Sequence, residues 1–273
     1  MIKRTGIVAS SEVDAHGDTF SREALEQLVH QMNSSFLPLG IEHDPREPSV
    51  GRVAAARLVT RKDGVLLVEA DMEIFEEGEV IPLGTEAREI PLEPVPRDGI
   101  LVKYDRPYAV SDERKALVEE LAKIAGARTN QEIKKSVDPI SVLTIVASFS
   151  AVAIASGFLK KIGEDAYELF KAKLKQIFSS KPSAKDQLLV FIYTINMDGI
   201  PINVEVILTN PTPDEIVAYF SSGTADLQRS IAEYVQPALG IRQVTYSFHD
   251  GRLNLEFAIR KDAVPLRPAR CGG

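Results

Sequence analysis

The chain has no tryptophan, and its 273 residues include a single cysteine, Cys271. One thiol cannot close a disulfide within the chain, and no cysteine-based metal site can be assembled from it. That usage fits a reducing compartment, so the expected location is cytoplasmic. Aromatic residues are sparse at 7%, and with no Trp there is little from which to build a base-stacking surface. Positive charge is also short. The net charge of −7 argues against a general nucleic-acid binder, which needs a basic face to displace counterions, and leaves room only for a small basic patch. The opening MIKRTGIVAS has basic residues but no apolar run of signal-peptide length.

What is present is an ordinary globular composition, long enough for two modest domains. The pattern mixes strands and helices, and the expected fold class is α+β. Ile2 to Ser11 reads as a strand, and Asp14 to Asp18 as a polar turn. Ser21 is placed to cap a helix carrying Leu25, Leu28, Val29 and Met32 on one face. Phe36 to Ile41 reads as a short strand ending at Glu42, His43 and Asp44. Two strands follow around Asp63–Gly64, a strong hairpin signal. The facing of the first is ambiguous, because Val53, Ala55 and Arg57 alternate with Ala54, Ala56 and Leu58. A long loop is expected from Glu76 to Asp98, then a strand from Ile100 to Tyr104. Ser111 opens a helix that stops at Gly126. A second short helix is expected over Thr129 to Val137.

Ile140 to Leu159 carries no charge and is long enough to span a bilayer. It continues into an amphipathic, Lys-rich stretch with Ile162, Ala166, Leu169, Phe170, Leu174 and Phe178 on one stripe. The spacing predicts one long helix, or two with a bend near Gly157 or Gly163. A buried central helix and a membrane-inserting or self-associating helix are both open for 140–159. After a linker at 179–186, hairpins around Asp198–Gly199 and Asp250–Gly251 flank two helices, which makes a small α+β module. The expected domains are therefore 1–110, a helical connector over 111–180, a module over 187–262, and a flexible tail over 263–273. No internal repeat is visible.

Gly6 to Glu73 contains the strand Gly6–Ala9, the turn with Val13, Asp14, Gly17 and Asp18, a helix, the His43 strand end, Gly51–Arg52–Val53 and the Asp63–Gly64 hairpin. In that order and spacing it resembles the N-terminal half of phage prohead (capsid-maturation) proteases. The resemblance covers about a quarter of the chain. It implies an assemblin-like β-barrel with outer helices, serine-nucleophile peptide hydrolysis, and His43 as the general base. A neutral imidazole suits that task near neutral pH. The matching nucleophile position falls to Ser111, the only serine between Ser49 and Ser136. Its surroundings depart from the family's motif, and it is also the natural N-cap of the next helix.

The resemblance thus implies a serine-endopeptidase-like protein of phage or bacterial origin, active or inert, with catalytic residues His43 and Ser111. No cofactor and no metal are expected, since His16, His43 and Asp44 lack zinc spacing. A rival reading is a non-catalytic, self-associating or membrane-associating bacterial protein whose C-terminal module binds a partner. A third is a modifier joined through the terminal Gly272–Gly273. Expected partners are a protein substrate or protein partner and further copies of the chain, with no nucleic acid. The expected location is cytoplasmic, with membrane association through 140–159 as its variant.

Overall fold

The fold is described from a computed structural model, which places residues 1–13, 19–40, 44–76, 78–93, 99–105, 111–132, 140–150, 162–179 and 186–268. It is a mixed α and β protein. Its contacts divide it into two units, Met1–Pro91 with Ala258–Leu266, and Leu92–Phe257 with Arg267–Gly273.

The first unit holds β1 (Ile2–Ser10), α1 (Arg22–Ser34), β2 (Pro38–Leu39), β3 (Gly51–Thr60) and β4 (Leu66–Ile74). The strands form one sheet in the order β1-β4-β3-β2, with every neighbour antiparallel. Ser21 caps α1 as expected, its hydroxyl accepting from the Ala24 N–H at 3.2 Å. Leu25 and Met32 then bury against Val53, Ala56, Leu66, Val68 and Ala70 of the sheet. The ambiguous facing of β3 has a physical cause. The register slips between Val53 and Ala55, a bulge opposite Met72 and Asp71, so Val53 and Ala56 both point inward despite their odd spacing. Gly51 is obligatory here, because a Cβ would lie 2.4 Å from the Glu73 carbonyl oxygen.

Residues 258–266 complete this unit. Ala263 and Val264 are buried, and the Ser49 hydroxyl donates to the Ala263 carbonyl at 2.9 Å. The expected flexible tail therefore does not begin at 263. Cys271, Gly272 and Gly273 lie outside the described residues.

The second unit holds β5 (Ile100–Asp105), α2 (Asp112–Ile124), β6 (Arg128–Glu132), β7 (Ile140–Ser150), α3 (Glu164–Ile177), β8 (Asp186–Met197) and β9 (Ile200–Thr209). It continues with α4 (Pro213–Ala218), a π-turn at Tyr219–Gly223, α5 (Thr224–Tyr234), β10 (Ile241–His249) and β11 (Arg252–Arg260), whose last residues lie in the first unit beside β12 (Pro265–Leu266). The strand order is β12-β11-β10-β9-β8-β7-β5-β6. The pairs β5/β6, β7/β8 and β9/β10 are parallel, and each is bridged by helix, as a parallel connection requires. The recurrence is one of topology and not of sequence. The Asp198–Gly199 and Asp250–Gly251 turns are both left-handed at both residues (φ 54° and 82°, 51° and 70°), the hairpin geometry their sequences predict.

Three expectations are corrected here. Ile140–Ser150 is strand β7, not the first half of a helix: it pairs with β5 on one side and with β8 over its full length on the other. A central strand covered on both faces reads as an unbroken apolar run, and its Val142, Ile145 and Val146 are β-branched. Residues 151–159 of the expected helix lie outside the described residues, and α3 begins only after Gly163, whose φ is +80°. Among the described residues no helix is long and apolar enough to cross a membrane. Second, Arg128–Glu132 is strand β6, parallel to β5, and not a helix. Third, the boundaries at 110 and 187 do not hold, since β5, β7, β8 and β9 share one sheet.

The helices gather on one set of aromatic side chains. Phe191 of β8 stacks on Tyr219 with ring centres 4.9 Å apart, and Phe220 meets Phe191, Tyr167 and Phe170 edge-on. With Tyr193 and Phe248, seven of the 18 aromatic residues meet in this core. Phe170, Leu174, Ile177 and Phe178 bury the expected stripe of α3, while Leu169 stays 59% exposed.

Candidate functional site

Of the two residues the family likeness marks, His43 lies outside the described residues, as do Glu42 and the Asp14–Asp18 turn with His16. Asp44 is occupied by its own loop: it accepts from the Arg46 backbone N–H at 2.9 Å and pairs with the Arg46 guanidinium at 2.7 Å. Ser111 is exposed at the start of α2. Its Oγ accepts the Arg114 N–H at 3.2 Å, the N-cap role its position predicts. His30 is exposed on α1.

His249 gains a partner that its sequence position does not show. Its Nδ1 lies 2.9 Å from Glu215 and its Nε2 lies 3.3 Å from Asp250. The three offer ligand atoms within 4.8 Å of one another. Glu215, however, is already the glutamate of the α4 capping box, its carboxylate accepting from the Thr212 N–H at 2.9 Å. The trio thus ties the β10–β11 turn to the start of α4.

In the first unit an open depression of about 380 Å³ lies over β1, β4 and the β3 bulge. Its acids are taken: Asp71 by Thr5 (2.7 Å) and Arg57 (3.1 Å), Glu73 by Arg52 (2.8 Å).

The most chemically distinctive group is Glu205. It stands midway along β9, partly buried, on the sheet face that also carries Val190, Ile192 and Ile207. Thr245 of β10 is its direct neighbour in register, and Gln243 lies opposite Asn203 one step away. Glu93 and Lys103, paired at 2.9 Å, act on it from the β5 side. Burial, reinforced by the negative charge of Glu93, pushes the Glu205 carboxyl up to about 7, against the opposing pull of Thr245, Gln243 and Lys103. A carboxyl poised there exchanges its proton near neutral pH, a property of acid–base and cation-binding sites. Sequence reasoning missed it. The alternation of Asn203, Glu205 and Ile207 with valines shows a shared face, but β10 and Glu93 are remote in the chain.

No protein-family model, curated protein or solved structure matches the chain.

Proposed function

We propose that the chain is a serine-endopeptidase-like protein, related in its first unit to phage prohead proteases, that acts by binding protein and not by cleaving it. The observation that carries this reading is Ser111. The Ser111 oxygen accepts the Arg114 N–H at the exposed entrance to α2, and this helix-capping role accounts for a serine at that position without catalysis. What supports the family likeness is the order β1, α1, β2, β3, β4, with Gly51 held against β4 by a close backbone approach and Asp63–Gly64 at the next turn. An assemblin-like barrel is the finer architecture that goes with this reading. The membrane route of the rival reading loses its basis over Ile140–Ser150, because those residues are hydrogen-bonded between β5 and β8.

The test is intact-mass analysis of the purified chain during prolonged incubation. One unchanged mass is expected. Fragments that vanish in Ser111→Ala would overturn the reading and establish a peptidase.

A further inference from the structure

β1 is the outermost strand of the first unit's sheet, and among the described residues its strand partner is β4 alone. Ile2 to Thr5, Ile7 and Val8 are exposed, Ile7 at 61%. The direction of the β1 backbone groups follows from β4. The Leu66 carbonyl accepts the Ser11 N–H at 2.9 Å, so Leu66 faces β1. Val65 and Phe75 bond instead to Arg61 and Val50, at the two ends of β3. Both register slips lie in β1 and β3, so β4 alternates without a break. Val68, Ala70, Met72 and Ile74 therefore bond to Ala9, Gly6, Arg4 and Ile2. Lys3, Thr5 and Ile7 are left to point their N–H and C=O groups outward, along an open edge. A row of such groups is a template for another strand.

We propose that this edge pairs with the same edge of a second copy of the chain, antiparallel about a two-fold axis at Thr5. Outward-pointing residues pair with one another, and charge selects the register. A register centred on Lys3 sets Lys3 opposite its own copy, and the next sets Arg4 opposite Arg4, both destabilising. The register centred on Thr5 avoids these clashes. It sets Lys3 opposite Ile7 of the second copy and Arg4 opposite Gly6, and it engages all three outward residues in reciprocal bonds. The Lys3 side chain is 80% exposed and lies 3.9 Å from Glu73 of its own sheet. In the pair its stem covers Ile7 of the second copy, in the cross-strand row that continues to Glu69 and Arg57. The row then alternates in charge: Lys3, Glu69, Arg57. The bulge at Val8 ends the regular edge, and the two-fold arrangement closes at two copies. The inference goes beyond the protein-binding reading and stands without it.

Sedimentation equilibrium of the full chain over a concentration series tests this. A dimer that dissociates on dilution is expected. Ile7→Pro removes one outward N–H and leaves the bonds to β4 in place, as proline on an edge strand can. It should raise the dissociation constant by about tenfold or more. Ile7→Ala keeps that N–H and should raise it less. A monomer at every concentration overturns the proposal, and so does a dimer that Ile7→Pro leaves unchanged. Should Ile7→Pro fail to fold, amide hydrogen exchange of the wild type decides. The Lys3, Thr5 and Ile7 amides must slow as concentration rises, while Arg4 and Gly6, bonded to β4, stay protected throughout. Fast exchange of the three outward amides in the concentrated protein overturns the pairing.

Discussion

Arg260 Nη2 lies 2.6 Å from Asp262 Oδ2, with a second bond at 2.9 Å, and both side chains are buried. The guanidinium also donates to the Ile81 and Pro82 carbonyls, and the Asp262 carboxylate accepts the Gly84 N–H. One two-residue step of chain thus anchors a loop about 180 residues earlier in the sequence. Asp262→Ala would leave Arg260 buried without its counter-charge, at a cost of about 3–5 kcal/mol. Burial alone would raise the Asp262 carboxyl, but Arg260, the Gly84 N–H and Arg52 together bring it below its ordinary 3.8. A carboxyl depressed in the folded state stabilises above its unfolded pKa, and that stability is lost as pH falls through the folded value. Chemical denaturation at neutral and at acid pH should show the wild type approaching Asp262→Ala on the acid side.

The Tyr193 and Tyr219 hydroxyls meet at 2.8 Å in the aromatic core, and both residues are essentially unexposed. Burial pushes both phenols above their ordinary range. Tyr193→Phe should cost about 1–3 kcal/mol, because the Tyr219 hydroxyl is left buried and unpaired. The double change Tyr193→Phe, Tyr219→Phe should cost less than the sum of the two single changes. Urea unfolding of the four proteins measures that coupling, and additive losses would deny the pair.

Glu205 runs the other way with pH. Its carboxyl is lifted by burial and by Glu93 from 4.5 to about 7, so the folded state holds a proton that the unfolded chain releases. Its protonated form contributes fully below the unfolded pKa, and stability falls as pH rises from about 4.5 through 7, by up to ~3 kcal/mol. Glu205→Gln should flatten that slope and exceed the wild type in thermal stability on the alkaline side. A wild-type profile that matches Glu205→Gln across this window would refute the assignment.

These sites differ in how far the sequence discloses them. The Asp–Gly turns and the Ser21 and Ser111 caps are local chemistry, readable within four residues, and the structure places them as read. The bulge that turns Val53 and Ala56 to the same side is invisible until β4 is set beside β3. Ile140–Ser150 misleads for a physical reason. A strand buried on both faces loses the alternation that marks strands, and its apolar run passes for a helix. Arg260, Asp262 and Glu205 become legible only through partners far away in the chain.

The central claim, a protease-like protein that does not cleave, is tested most directly by a fluorophosphonate probe. Wild type, His43→Ala and Ser111→Ala are treated in parallel and read by intact mass. The account predicts no adduct on any of the three. An adduct on the wild type that disappears in both variants would contradict it and make Ser111 the nucleophile and His43 its base.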